Sequence, residues 1–286
     1  MKSERIYKFY GYRDFDLDAF AGSYLWFSKV KDFNDPFEGL YREQVKFRKP
    51  EEISNGEIIL FYKASALFKG ATEEQANDKA ISYFSEIQKD LDFHRVSIAN
   101  ALEESILKTL DEMENNRHCC CFIRDYKDKK ALTNKLMWSH YANGLRGFAL
   151  EFENNTLCDS FDGNHDFKTQ GGIVNYRRME AIDNFESMMD WLKGDTTKGI
   201  SQIFLTKSPE WMYEQELRIL SNANKFYYDY SVIKSIVLGQ KMPKEKLNTL
   251  MAVIHSLGLT DKVKVATIDK QTFNLSIVDF DKDLFE

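Results

Sequence analysis

The chain reads as short strands, then helix, then strands again, and that order constrains its fold more than any other feature. From about Glu51 to Asn116 the texture is helical. Thr72 with Gln75 makes a capping box, and Leu102, Ile106, Leu107, Leu110 and Met113 recur at helical spacing. The flanking segments are strand-like. Before the stretch come residues 6–13 and 24–30, with a helix over 16–21 capped by Asp14 or Asp16. After it come 118–123, 147–152, 171–177, 216–220, 232–238, 263–268 and 273–278. Residues 32–39 form a turn, because Asn and Asp side chains bond nearby amides and Pro fixes φ. A helix is expected over 180–192. Pro243 opens another at its first position, with Leu247, Leu250, Met251, Ile254 and Leu257 on one stripe and Gly258 closing it. The expected fold is α+β, with mixed, largely antiparallel strands. It is one domain over 1–286 with a helical insertion at 51–116.

Composition narrows the function classes. With 286 residues, 43% of them hydrophobic, the chain can bury a large core. Its net charge of −6 argues against a protein whose main task is gripping duplex DNA, since phosphate neutralisation supplies most of that affinity. No run reaches the roughly 20 apolar residues of a membrane helix, and the start lacks the apolar core of a secretory signal. A cytoplasmic protein with no membrane partner is expected. Cys119, Cys120 and Cys121 are consecutive, so on a strand they face opposite ways and cannot offer three thiols to one metal. Reduced, packed cysteines are expected. Asp32, Asp35 and Glu38 match no calcium-loop spacing, and no metal site is expected.

Three separated segments carry candidate chemistry. In residues 213–219, a strand would set Glu214, Glu216 and Arg218 on one face, with Leu217 and Ile219 on the core side. Two carboxylates at i and i+2 lie about 6.5–7 Å apart; one can grip a ribose hydroxyl while the other orients an acceptor. The same pattern also fits a solvated charged face with an ordinary Glu–Arg pair. Residues 137–144 form a short helix, capped by Thr133 and ended at Asn143 and Gly144, that offers Ser139, His140 and Tyr141 within one turn. His140 fits a general acid/base or a phosphate ligand, or a spacer beside packed Trp138 and Tyr141. No Gly-x-Ser-x-Gly elbow surrounds Ser139. Near the start, Tyr10, Tyr12 and Arg13 could stack a base and meet a diphosphate, or belong to the core. Arg124, Lys127, Lys129, Lys130 and Lys135 form a basic run able to steer a polyanion.

Several blocks together resemble a bacterial family of unknown function, DUF family 2971. They are YKFYGYR, LWFSKVKDFNDPFEG, LMWSHYANGLRGFALEFE, KSPEWMYEQELRIL and IKSIVLGQKMP followed by a helix, in this order across nearly the whole chain. The family's association with anti-phage and toxin–antitoxin loci implies an effector, with an antitoxin or chaperone as partner. A looser resemblance is to ADP-ribosyltransferases, whose folds open on a strand bearing Arg, His or Tyr and close on a late Glu-x-Glu strand. It implies a split sheet and NAD as substrate. Arg13 or Tyr12 stands for the first element, Ser139 and Tyr141 for the middle one, and Glu214 and Glu216 for the last. Trp138-Ser139-His140-Tyr141 departs from the usual Ser-Thr-Ser strand, and Trp211 and Arg218 are not part of that pattern.

The resulting expectation is NAD-dependent ADP-ribosyl transfer to a nucleic acid or protein, RNA included. Nicotinamide would sit near Tyr141, Ser139 and the N-terminal aromatics, and Arg13 at the pyrophosphate. Glu216 would hold the ribose 2′-hydroxyl and Glu214 the acceptor, with Arg218 keeping the carboxylates in register. Two other readings fit the same residues. One is a non-enzymatic module of a defence operon that holds a partner through Trp138 and Trp211. The other is a metal-independent ribonuclease with His140 and Glu216 as acid and base.

Overall fold

The computed structural model describes residues 4–33, 35, 37–38, 42–161, 170–178, 180–192 and 203–285. Its strands are β1 (Arg5–Tyr10), β2 (Tyr24–Trp26), β3 (Val45–Lys46), β4 (His118–Arg124), β5 (Phe148–Glu153), β6 (Gln170–Ile173), β7 (Asn175–Tyr176), β8 (Ile182–Asp183), β9 (Thr206–Lys207), β10 (Glu216–Ser221), β11 (Lys225–Tyr227), β12 (Ile233–Gly239), β13 (Val263–Ile268) and β14 (Leu275–Asp279). Its α-helices are α1 (Asp14–Ala21), α2 (Asn55–Phe68), α3 (Glu73–Glu86), α4 (Leu91–Asn116), α5 (Lys135–Tyr141), α6 (Asn154–Ser160), α7 (Asn184–Leu192) and α8 (Lys244–Ser256). The class is α+β, as the alternating runs of strand and helix indicate. Of the expected turn at 32–39, Asn34, Pro36 and Gly39 lie outside the described residues.

Contacts divide the chain into two compact units. One comprises Met1–Lys29, Arg117–Tyr176 and Ser208–Glu286, the other Val30–Asn116 and Arg177–Lys207. The first is built on an eight-stranded sheet in the order β14-β13-β12-β5-β1-β4-β10-β6. Its neighbours are antiparallel except β12 and β13, which run parallel. Three two-stranded sheets, β11-β2, β3-β8 and β7-β9, stand apart from it. The earliest strand, β1, sits between β5 and β4, so its register is set by segments more than 100 residues away in sequence.

Alternation decides the two faces of this sheet. Ile6, Tyr10, Phe122, Phe148, Leu150, Phe152, Leu217 and Ile219 point to one side and join the largest hydrophobic cluster, with α8 supplying Leu247, Leu250 and Ile254. Tyr7, Phe9, Ile123, Ala149 and Val237 point to the other, beneath Met137 and Trp138 of α5. The Trp138 ring meets Phe9 edge-on at 5.2 Å, and its indole N–H donates to the Leu132 carbonyl at 2.7 Å. A tight approach brings the α5 turn down onto β1. A Cβ on Gly147 would lie 1.9 Å from the Tyr10 carbonyl oxygen, so only glycine fits there.

Helix starts follow local hydrogen bonding. The N-cap of α1 is Arg13, whose amide donates to the buried Asp16 carboxylate at 2.8 Å, in place of the expected Asp14 or Asp16 cap. Asn134, not Thr133, caps α5: its side chain accepts from the Leu136 amide at 3.0 Å. Pro243 stands just before α8 rather than inside it, and Gly258 follows with a φ of 69°.

In the second unit, α2, α4 and α7 share a core of Ile53, Ile58, Ala64, Ile98, Leu102, Phe185 and Met189. The Thr72–Gln75 capping box forms as read. Helix α7 starts at Asn184 instead of Glu180, because Asp183 accepts from the amides of Phe185 and Glu186 at 3.0 and 3.2 Å. Arg48 ties Asp183 to Glu57 at 2.5 and 2.9 Å.

Candidate functional site

The late acidic segment is not one continuous strand. A 3₁₀ turn spans Pro209–Glu214, and Gln215 follows in the left-handed region with φ 49° and ψ 51°. The strand begins only at Glu216. Glu214 therefore leaves the strand face that the period-two reading assigned it, while Glu216 and Arg218 keep theirs. Opposite β10 in register, Ile123 pairs with Glu216 and Cys121 with Arg218.

Glu216 and Arg218 form a two-pronged ion pair. Nε donates to Oε1 at 2.9 Å and Nη2 to Oε2 at 3.1 Å. Both residues are almost fully buried, at 2% and 1% exposure. Arg supplies the planar fork that a carboxylate accepts in this geometry. Desolvating two charges is costly, so breaking such a pair from one side is far more damaging than replacing both partners.

Glu214 is buried as well, and the Tyr141 hydroxyl donates to its Oε1. This bond connects the α5 segment to the acidic segment, two of the three pieces that sequence reasoning expected to meet. Tyr176 on β7 joins them. Its hydroxyl accepts from the Glu216 amide at 2.7 Å. Burial first, and then the charges of Glu216 and Glu214, push its phenol far above the usual range, so it stays protonated. Nothing in the local sequence distinguishes Tyr176: its role arises from β7 lying beside the start of β10. Aromatic rings continue from the pair. His140 and Tyr213 lie 6.0 Å apart at 32°, and Tyr213 and Trp211 6.0 Å apart at 36°. The Asn134 amide fixes the Tyr213 backbone by donating to its carbonyl at 2.9 Å. His140 and Ser139 are exposed on α5, and Trp138 is core.

The N-terminal aromatics do not join this cluster. Tyr10 stacks on Phe148 at 4.9 Å and 13° within the hydrophobic cluster on the opposite side of the sheet. That is the physical consequence of alternation along β1, which sends Tyr7 and Phe9 toward the α5 side instead. Tyr12, at φ 61°, is buried in the same cluster as Tyr10 and donates its hydroxyl to the Lys246 carbonyl at 3.0 Å. Arg13 is largely exposed, paired with Asp16 at 3.2 Å and stacked over Phe15 at 4.3 Å. Tyr10 and Tyr12 are thus corrected from ligand contacts to core residues.

The sheet itself adds residues that sequence reading missed. Ser235, Glu151, Tyr7, Ile123 and Glu216 stand directly opposite one another across β12, β5, β1, β4 and β10, so they form one row on one face. Ser235 donates to Glu151 at 2.5 Å, Arg5 pairs with Glu151 at 3.3 Å, and the Tyr7 hydroxyl donates to Asp125 at 3.4 Å. Burial, followed by the charges of Asp125 and Glu151, raises the Tyr7 phenol well above its ordinary value. Within the basic run, Lys130 pairs with Asp125 at 3.1 Å and Arg124 with Glu4 at 3.0 Å, while Lys127 and Arg124 lie over the Tyr126 ring. Cys119 and Cys121 share a face, their sulfurs 3.8 Å apart, and Cys120 points to the other, as strand geometry requires. Burial pushes the Cys120 thiol up to about 11. Among the described residues, no group of three or more His, Cys, Asp or Glu side chains is arranged to hold a metal ion, and no helix is long and apolar enough to cross a membrane.

Comparison with curated proteins and with solved structures finds no match. A family model does match: the family described as Protein of unknown function (DUF2971), over residues 137–219. That span runs from α5 into β10 and contains Ser139, His140, Tyr141, Tyr176, Glu214, Glu216 and Arg218. Over this segment, which carries the buried carboxylates, the chain is similar to the DUF2971 proteins.

Proposed function

We propose that the cluster is a glycosyl-transfer centre that uses NAD to ADP-ribosylate an acceptor. The observation that carries this reading is a pair of buried carboxylates two residues apart, Glu214 held by the Tyr141 hydroxyl and Glu216 by the Arg218 guanidinium, with the His140 and Tyr213 rings following on α5 and beside Glu214. In the reaction the bond between the nicotinamide nitrogen and ribose C1′ breaks. The bonding pair leaves with nicotinamide, and positive charge grows on C1′ and the ring oxygen. Preorganised negative charge stabilises that state, the kind of term that usually dominates. Glu216, held in place by Arg218, addresses the ribose 2′-hydroxyl. Glu214, oriented by Tyr141, takes the proton of the acceptor as that acceptor attacks C1′. The nicotinamide ring stacks at Tyr213 and His140, beside Tyr141. Arg13 remains the group for the pyrophosphate, and Ser139 flanks the ring. In this reading the chain is an effector toxin of an anti-phage or toxin–antitoxin system, restrained by an antitoxin or chaperone, with RNA or protein as acceptor.

The test incubates the purified chain with labelled NAD and separate RNA, DNA and protein fractions. Glu216→Gln is expected to lower label transfer on the order of 10²–10³-fold, and Glu214→Gln to abolish acceptor modification. Equal transfer by wild type and both variants removes the proposal.

One observation favours a second reading. The Glu216–Arg218 fork is closed and 1–2% exposed, which suits a purely structural pair inside a partner-binding module. Thermal unfolding with NAD separates the two. A ligand at 100 times its dissociation constant stabilises by about 2.7 kcal/mol; the module predicts no shift.

A further inference from the structure

In the first unit, β2 and β11 pair outside the main sheet as a two-stranded ribbon. Its register sets Trp26 opposite Lys225 and Tyr24 opposite Tyr227. Opposite residues share a face, so these four side chains form one block. The alternating residues, Leu25 and Phe226, turn inward and are buried in the hydrophobic core. Trp26 and Tyr227 remain 52% and 51% exposed. The Lys225 ammonium lies 3.7 Å from the Tyr24 ring centre and 5.0 Å from that of Tyr227. Tyr24 is backed by Gly22, where a Cβ would come within 3.1 Å of the ring.

Single exposed aromatics need no explanation. Three on one face around a held cation form a defined chemical surface: flat π faces for stacking and a fixed positive charge between them. We propose that this face binds single-stranded nucleic acid, with bases stacking on Trp26 and Tyr227 and a phosphate meeting Lys225. Single-strand binders combine these two elements, because every base has a π face and every linkage a charge. Charge distribution agrees. Residues 30–116 carry 18 Asp and Glu against 11 Lys and Arg, so they account for the chain's net acidity. The segments forming the first unit carry 23 Lys and Arg against 22 Asp and Glu, and so do not repel a polyanion as a whole. The nearby Asp229 carboxylate is engaged by the Ser231 amide at 2.7 Å. A duplex hides its base faces, and an apolar protein surface would desolvate the Lys225 ammonium without compensating it. The inference stands apart from the carboxylate cluster and does not need NAD turnover.

The test measures fluorescence polarisation of the whole chain with a labelled oligouridylate of about a dozen nucleotides, near the upper site size of such modules. A duplex of equal length and a salt series accompany it. Single-strand binding is expected, with intrinsic tryptophan quenching that Trp26→Phe removes while largely keeping affinity. Trp26→Ala and Tyr227→Ala are each expected to weaken binding about 5- to 100-fold. Lys225→Met is expected to reduce the salt slope by about 0.7, the value for one phosphate contact on a single strand. Circular dichroism and unchanged thermal unfolding of each surface variant serve as the fold control. No binding, equal binding of the duplex, or affinity that survives the Trp26→Ala/Tyr227→Ala double variant overturns the proposal.

Discussion

Replacing Arg218 by Met tests the central physical claim about the buried cluster. The guanidinium and the Glu216 carboxylate are bonded at 2.9 and 3.1 Å, and both residues are less than 3% exposed. Water cannot solvate the carboxylate once its partner is gone. Removing one member of such a pair costs about 3–5 kcal/mol. For a unit of this size each kcal/mol lowers the melting temperature by roughly 2–4 °C, so a fall of roughly 6–20 °C is expected. Glu216→Leu, which removes the carboxylate that both guanidinium nitrogens donate to, is expected to cost as much. The double variant Glu216→Leu/Arg218→Met removes both charges and is expected to recover most of the loss, because the desolvation penalty disappears with the pair. Thermal and urea unfolding of the four proteins, followed by circular dichroism, completes a double-mutant cycle. Single variants that each cost less than about 1 kcal/mol, in the range of an exposed pair, with no coupling in the cycle, would refute the buried fork.

Other expectations follow from the same geometry. Tyr141→Phe removes the hydroxyl that donates to buried Glu214 and is expected to cost about 1–3 kcal/mol in urea unfolding; no change means that Glu214 is satisfied without it. The phenols of Tyr7 and Tyr176 are raised in the folded state. The stability they contribute is complete below the unfolded value near 10 and is lost as pH rises above it, since only the unfolded state then ionises. Ultraviolet titration should show these tyrosines ionising only with unfolding, after the exposed ones, while Tyr62 in the second unit titrates near 12. Gly147→Ala places a methyl 1.9 Å from the Tyr10 carbonyl and is expected to cost about 3 kcal/mol or more; near wild-type melting would contradict that approach of α5 to β1.

Much of the fold was legible because local signals and tertiary demand agree. Phe148, Leu150 and Phe152 alternate into one core, and the α8 stripe buries Leu247, Leu250 and Ile254 as its period requires. Disagreements cluster where a single backbone torsion intervenes. Gln215 in the left-handed region removes Glu214 from the strand, and a non-glycine residue there gives no sequence warning. For β1, both readings of Tyr10, base platform or core, fit the local sequence, and strand pairing settles it as core by turning Tyr10 with Ile6 away from Tyr7 and Phe9.

Periodicity and capping residues determine which stretches are helix or strand and which side of each is apolar, because those signals act over a few residues. Partners are another matter. That Ile123 stands beside both Tyr7 and Glu216, that Tyr141 reaches Glu214, and that Tyr176 lies against the Glu216 amide depend on strand order and register between segments 40 or more residues apart. Those are properties of the closed chain, where burying one face selects one pairing out of many, and no local pattern encodes them.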